Sequence, residues 1–203
     1  MANVNRPSGF IPHEYLNGAP WNGQARIYCI AAAYSAAALY IGDPVISAGS
    51  ADAFGTPTIA LGAATGALRG VIVGLGTSPN MMGNAGNPDI TYRPAAAQTK
   101  DWYAMVVDDP NVLFEIQEKS NTTQLAATEI GLNTVPILAA GNGFVSGWQL
   151  ASVTDATPAT TATLQLRLMG LVRRVDNEFG AYAKHLVKIN VHELGTGTGA
   201  AGV

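Results

Sequence analysis

The sequence predicts a mainly β protein, a single barrel or sandwich domain with an extended N-terminal arm and one short helix. Three observations lead to this fold class. The 203 residues suit one domain of ordinary size. The 23 glycines and 11 prolines interrupt the chain too often for a helical bundle. Several short segments alternate apolar and polar residues with the period of two that is typical of strands.

The first 24 residues are predicted to form an extended arm. Prolines and glycines recur in it so often that no helix can start. A fully solvated tail would not hold as many large apolar residues as this segment does. We therefore expect residues 1–24 to lie along a surface of this chain or of a neighbour, and removal of residues 2–20 to leave the fold intact. The apolar candidates for this contact are Phe10, Ile11, Tyr15, Leu16 and Trp21.

Residues 25–194 are predicted to form the β-rich domain. Its first segment, 26–41, is ambiguous, because alanines at 31–33 and 36–38 favour a helix whereas the flanking Tyr, Ile and Leu residues favour strands. Strands are indicated more clearly at 70–74 and 102–107. Segments 47–57 and 76–100 are rich in turn-forming residues and are predicted to be loops.

The second half of the chain alternates more sharply. Segment 112–119 predicts a half-buried strand with Val112, Phe114 and Ile116 on one face and Glu115, Gln117 and Lys119 on the other. Near 164–169, Leu164, Leu166 and Leu168 are predicted to point inward, so that Leu166→Asp should unfold the domain. Gly170 indicates a bulge. The last strand is predicted at 186–194, with Val187, Ile189 and Val191 opposite Lys188, Asn190 and His192.

A short helix and a mobile tail complete the predicted organisation. Segment 123–130 has the composition of a helix, with Asn121 or Thr122 as its N-cap and Gly131 as its end. The glycine-rich residues 195–203 are expected to be mobile.

Charge and apolar patterning restrict the classes of partner. Charged residues make up 12% of the chain, about half the usual 25%. So sparsely charged a surface is expected to be covered by other chains. The net charge of −3 argues against nucleic-acid binding. The N-terminus lacks a secretory signal, and the 15-residue apolar stretch 27–41 is too short for a membrane span of about 20. Cys29, the single cysteine, is expected to be a buried core residue.

A search for catalytic and metal-binding motifs predicts none, and we expect no enzyme activity. His185 and His192 should lie on opposite faces of one strand, with His192 at the surface, and phosphate-binding and serine-hydrolase motifs lack required residues or spacing. The pair Asp108 and Asp109 precedes a proline and is typical of a turn. An enzyme that uses Asp108, Asp109 or Glu178 stays the weakest of three hypotheses.

Seven short segments resemble the capsid decoration, or cement, proteins of tailed bacteriophages. The resemblance extends over roughly residues 25–194. The segments are 39–45 (LYIGDPV), 71–74 (VIVG), 108–117 (DDPNVLFEIQ), 130–133 (IGLN), 164–168 (LQLRL), 176–180 (DNEFG) and 188–192 (KINVH). These are structural rather than catalytic signatures.

This resemblance implies a protein of the virion that binds the outer capsid surface and clamps neighbouring major capsid subunits together. It also implies self-association, as a homotrimer rather than a dimer, and no cofactor. Arg173 and Arg174, the one doubled basic site, are candidates for pairing with an acidic patch on a partner. The alternative is another virion surface component, a head-fibre base or a host-glycan binder, for which Trp102 or Trp148 could supply the aromatic platform.

Overall fold

A computed structural model describes residues 3–79, 90–120, 122–138, 144–195 and 198–203 of the chain. It confirms a mainly β fold, in which the one described helix is a single 3₁₀ turn at Ala127–Glu129. In chain order the strands are β1 (Ile11–Tyr15), β2 (Arg26–Ile30), β3 (Leu39–Tyr40), β4 (Pro44–Ala51), β5 (Pro57–Leu61), β6 (Gly70–Gly76), β7 (Tyr92–Arg93), β8 (Trp102–Val107), β9 (Val112–Gln117), β10 (Asn133–Thr134), β11 (Pro136–Ile137), β12 (Gln149–Leu150), β13 (Leu166–Leu171) and β14 (Lys184–Ile189).

Five strands close into a barrel in the order β2-β5-β4-β6-β8. All neighbouring pairs are antiparallel except β2 and β5, which pair in parallel where Cys29 lies opposite Thr58. Cys29 is buried, as the sequence predicts. Closure leaves the barrel without a free strand edge. The interior is filled by Tyr28, Ile30, Leu39, Val45, Ile59, Ile72, Leu75, Ala104 and Val106.

Five other strands form an antiparallel sheet in the order β1-β9-β14-β13-β10. A second core cluster includes Val71 and Val107 of the barrel together with Phe114, Leu168 and Val187 of the sheet. One face of the sheet therefore packs toward the barrel, and the opposite face points away from it. Leu166 and Leu168 are buried in this core as predicted, whereas Leu164 precedes the strand and is only half-buried. The register shift at Gly170 confirms the expected bulge.

Both outer strands of this sheet are covered by other segments of the chain. Along β1, Trp21 N donates to His13 O at 3.1 Å and Tyr15 N donates to Ala19 O at 2.8 Å. Along β10, Asn133 N donates to Ala159 O at 2.8 Å. Covered edges prevent the sheet from adding strands of other chains at random.

The C-terminal tail was expected to be mobile, and its described residues 198–203 make several contacts with the sheet. The Arg167 guanidinium donates to the carbonyl groups of Ala200 and Ala201, and the Asn133 side chain also donates to Ala200 O at 2.8 Å. Gly202 is buried against β10. These contacts hold the tail along the sheet because it supplies acceptors to polar side chains that are otherwise buried.

Residues 8–16 of the predicted N-terminal arm lie against this chain itself, one of the two surfaces that the sequence left open, and are built into the domain. Phe10 is 1% exposed and its ring meets Phe114 edge-on, with centroids 6.1 Å apart. The residue before it, Gly9, has φ of +68°, and a Cβ there would overlap the carbonyl oxygen of Gly42. Phe10 N donates to that oxygen at 2.9 Å. Strand β1 then pairs with β9.

Strand β9 was predicted to be half-buried, yet all six of its residues are buried. Residues near the N-terminus cover its polar face: Arg6 N donates to Gln117 Oε1 at 2.7 Å, and Gln117 Nε2 donates to Asn5 Oδ1 at 3.0 Å. Glu115 is covered by cationic side chains from the β13–β14 region. The alternation identified the core face correctly, but tertiary packing buries the other face as well.

Local predictions elsewhere succeed in part. Segment 26–41 contains two strands, β2 and β3, and no helix. The predicted loop at 47–57 begins as strand, since β4 continues to Ala51. Of the helix predicted at 123–130, only the 3₁₀ turn forms; Ala126 N donates to Glu129 Oε2 at 2.7 Å, and the predicted cap Asn121 lies outside the described residues. His192 was expected at the surface and is instead buried, because Leu68 pairs with it beside the barrel.

Candidate interaction surface

The outward face of the five-stranded sheet combines apolar and charged side chains. Because successive strand residues point to opposite faces, Leu186 and Lys188 face away from the barrel while Val187 and Ile189 face the core. On this outer face, Glu115 of β9 is paired with Ile11 of β1 on one side and with Leu186 of β14 on the other. Leu186 is in turn paired with Gly170 of β13.

A groove of about 700 Å³ lies on this outer face. Gly170 forms part of its wall and has no side chain to fill it; a Cβ there would meet no atom within 4 Å. The apolar lining comes from Met169, Leu171, Leu186 and Phe179. Met169 and Phe179 remain 38% and 40% exposed. The bulge in β13 therefore produces a hollow in which large apolar side chains contact water.

Polar side chains stand at the margin of this groove. His13 and Glu14 of β1 line it on one side, and Arg173, just after β13, lines it on another. Arg173 is exposed. The groove thus combines an apolar floor with a polar rim that carries charges of both signs, Glu14 on one side and Arg173 on another, and interfaces commonly have an apolar centre and a polar rim.

Glu115 holds two cations beside this groove. Lys184 Nζ lies 2.9 Å and Arg174 Nη2 3.3 Å from Glu115 Oε1, whereas Arg174 Nε lies 3.6 Å from an Asp176 oxygen. Because the Glu115 side chain is 7% exposed, its charge needs these partners. Tyr182 borders an adjoining cavity of about 320 Å³. The backbone of Tyr182 has a φ of 63°, a left-handed conformation that is unusual for tyrosine.

A second apolar group projects from the far end of the barrel. Phe54 lies in the turn between β4 and β5 and is 85% exposed. Asp52 orders this turn: its Oδ1 accepts the N–H groups of Phe54 at 2.9 Å and Thr56 at 2.8 Å, and its Oδ2 accepts the Tyr103 hydroxyl at 3.1 Å. Desolvation raises the pKa of Asp52, but these hydrogen bonds outweigh it and the pKa is lowered. The turn therefore presents an aromatic ring from an ordered backbone beside a carboxylate.

The sequence-predicted contact residues fall into three groups. Phe10 is a core residue and cannot contact a partner, because it is buried. Ile11, Arg173 and Arg174 lie on or beside the outer face of the sheet. Tyr15, Leu16 and Trp21 lie at the other end of β1.

Leu16 lies beside the turn that joins β8 to β9, and Tyr15 and Trp21 pack against the core while partly exposed. Leu16 N donates to Asn111 O at 2.8 Å, and Leu16 is 41% exposed. The half-buried Tyr15 donates its hydroxyl to Gln24 Oε1 at 3.2 Å, and Trp21 Nε1 donates to Gln24 O at 3.2 Å. The apolar residues of this segment therefore serve different places: Phe10, Tyr15 and Trp21 pack in or against the core, Ile11 lies on the sheet face and Leu16 lies beside this turn.

Sequence reasoning missed Phe54, Met169 and Phe179. Phe54 could have been found from the turn pattern, since an Asp two residues before it and a Gly directly after it are typical of a tight turn between strands. Met169 and Phe179 carry no such pattern, because only the pairing of β13 with β14 brings them together.

The acidic pair has contacts typical of structural roles. Asp108 is buried, accepts the Tyr28 hydroxyl at 2.6 Å and lies 3.5 Å from Arg26; Asp109 accepts the N–H of Asn111 at 2.8 Å. Of the two tryptophans considered as sugar platforms, Trp148 is buried and Trp102 is half-buried.

In the parts of the chain that the structure describes, no three His, Cys, Asp or Glu side chains come together to hold a metal ion. Within the same ranges no helix has both the length and the apolar character that crossing a bilayer requires. Comparison with known proteins adds no relative, since no family model, curated protein or solved structure matches the chain.

Proposed function

We propose that this protein is a structural component of a virion that binds the outer surface of an assembled bacteriophage capsid and joins neighbouring major capsid subunits. The observation that carries this proposal is the set of large apolar side chains left exposed on a sparsely charged surface. Phe54, Phe144 and Val175 are 85%, 70% and 92% exposed. The segment resemblance to decoration proteins supports the same function.

The physical argument is that such a surface lowers its free energy by being covered. Each apolar Å² removed from water contributes about 25 cal/mol, so several modest patches must act together to give stable binding. An assembled shell offers neighbouring subunits at fixed spacing, and self-association of the protein, proposed here as a trimer, would add avidity. A net charge of −3 suits a protein partner better than nucleic acid.

The test is co-sedimentation of the purified protein with assembled bacteriophage capsids and, separately, with unassembled coat protein. We expect binding to shells in preference to free coat protein, with a raised temperature of shell disruption. A protein that shows no preference for assembled shells would contradict the proposal.

A second candidate, a host-glycan binder on the virion surface, is favoured by one observation. The rings of Tyr40 and Tyr92 are stacked, with centroids 5.4 Å apart and planes at 19°, and Tyr92 is 39% exposed. Exposed aromatic faces bind sugar rings. A specific hit on a glycan array that is lost in Tyr92→Ala would favour this function over capsid binding.

A further inference from the structure

The Phe54 turn has the features of a preformed docking element. An exposed aromatic residue on a mobile loop loses conformational entropy on binding. Here two backbone N–H groups of the turn donate to the Asp52 carboxylate, which also accepts the Tyr103 hydroxyl of β8, so the turn is ordered in advance. Large aromatic side chains each bury about 150–250 Å² on binding and are common anchors of interfaces. The element needs a hollow with an apolar lining.

The groove beside Gly170 is such a hollow. Its volume of about 700 Å³ lies within the range of about 300–1,000 Å³ seen for sites that enclose organic ligands. Met169, Leu171, Leu186 and Phe179 offer apolar contacts to a ring. Arg173 on one side of the rim carries a charge opposite to that of Asp52, which stands two residues from Phe54, whereas Glu14 on the other side has the same sign. Docking therefore requires the turn to place Asp52 on the Arg173 side.

One chain cannot bring its own Phe54 into its own groove. The first residues of β8 lie at the Phe54 end, since Tyr103 bonds to Asp52, and β8 then runs about 17–20 Å toward the sheet. The groove lies on the sheet face that points away from the barrel, because its residues alternate with the core residues Leu168 and Val187. The sheet thus separates the two elements, which face in different directions.

We propose that the Phe54 turn of one copy of this protein docks in the Gly170 groove of a second copy. Two different surfaces meet in such a contact, so each copy keeps one free turn or one free groove, and repetition produces a closed ring or a chain. This inference deepens the self-association contained in the proposed function and rests on it. One aromatic anchor buries much less than the roughly 1,000 Å² of a stable interface, so association in solution is weak.

The test uses two variants that each remove one half of the contact. Phe54→Ser removes the ring, and Gly170→Gln fills the groove with a polar side chain; neither changes a core residue, since Phe54 is exposed and the Gly170 Cβ position is open. Phe144→Ser is the matched control, because it removes an exposed phenylalanine elsewhere. Met169→Lys is the second groove variant should Gly170→Gln fold poorly, as judged by circular dichroism.

Sedimentation velocity between about 10 μM and 1 mM reports association in this affinity range. Wild type and Phe144→Ser should rise in average mass with concentration, whereas Phe54→Ser and the groove variant should each stay monomeric. Mixing these last two should restore association but stop at a one-to-one dimer, because the pair retains a single complete contact. A monomeric wild type, unchanged association in Phe54→Ser, or mixtures that stay monomeric would overturn the inference.

Shell binding measured on the same samples distinguishes the two proposals. A wild type that co-sediments with shells but never associates with itself contradicts the docking inference and leaves the proposed function in place. Association through Phe54 without shell binding supports docking and contradicts the proposed function.

Discussion

At the scale of single residues, one buried arginine determines the shape of the loop after β2. The Arg93 guanidinium is fully buried and donates to the carbonyl groups of Ala31, Ala32 and Tyr34 at 3.2, 3.3 and 2.7 Å. It also lies over the Tyr34 ring, 5.2 Å from the centroid. The alanine-rich segment would favour a helix alone, but here the carbonyl groups of Ala31, Ala32 and Tyr34 converge on one guanidinium, whereas those of an α-helix all point along its axis.

We therefore expect Arg93→Ala to destabilise the protein by about 3 kcal/mol or more, because several carbonyl groups each lose one hydrogen bond and a fully buried side chain leaves a cavity. Arg93→Lys should recover only part of this, since an ammonium group lacks the planar fork. Urea unfolding monitored by tryptophan fluorescence measures the change. Arg173→Ala, at an exposed arginine, is the control and should change little. Equal midpoints for Arg93→Ala and Arg173→Ala would contradict this role.

Two buried titratable residues give opposite pH dependences of stability. Desolvation lowers the pKa of His192 from 6.5 to about 4, against a smaller upward effect of Asp108. The unfolded chain then binds a proton more readily than the native one, so this contribution to stability is lost as pH falls from 6.5 to 4. Desolvation raises the pKa of Asp43 from 3.8 to about 6, although the Ser146 hydroxyl opposes it. The native state then binds the proton more readily, and stability is gained as pH falls from 6 to 3.8.

Each contribution is on the order of 3 kcal/mol, at about 1.4 kcal/mol per pKa unit, so the two largely cancel in the wild type. We expect Asp43→Asn to lose stability between pH 7 and 4.5, because only the His192 dependence remains. His192→Asn should instead gain stability over that interval. Thermal melts of both variants and wild type at the two pH values test this. Parallel changes in all three proteins would contradict it.

At the scale of elements, β1 shows why an apolar N-terminal segment need not be a docking arm. Phe10 and Ile11 are neighbours in sequence, yet Phe10 is 1% and Ile11 is 40% exposed. The pairing of β1 with β9 forces adjacent residues to opposite faces of the sheet. Deleting residues 2–20 would therefore remove the core side chain of Phe10 and the strand that pairs with β9, rather than a separable arm.

Substitutions at these two neighbours test the integration of β1. Phe10→Ala should cost about 3–5 kcal/mol, the usual loss for a buried phenylalanine, while the matched Ile11→Ala should cost less than about 1 kcal/mol. Chemical denaturation measures both. If Phe10→Ala leaves the unfolding midpoint unchanged, the segment is not part of the core.

At the scale of the whole molecule, the closed barrel and the covered sheet edges leave side chains, rather than strand edges, as the groups through which other chains can bind. The barrel has no free strand edge, and residues 19–21 and 159 cover the sheet. A surface with few charges and covered backbone edges can bind other chains mainly through apolar side chains. The exposed Phe54 turn and the Gly170 groove are the two such features that we assign to one interface.

The sequence by itself determined the fold class, the strands at 102–107 and 112–117, the inward leucines Leu166 and Leu168 and the bulge at Gly170. Each of these depends on the local alternation of apolar and polar residues or on the conformational freedom of glycine. Both can be read within a single segment of the sequence. The sparse surface charge is likewise a property of composition.

The tertiary structure alone decided which polar residues are buried and which apolar ones are exposed. Glu115 and His192 are buried because segments distant in sequence cover them, and Arg93 reshapes a loop about 60 residues away. The groove exists only because β13 and β14 pair with a shifted register. Such contacts depend on strand order and register, and those follow from the packing of the whole chain rather than from any one segment.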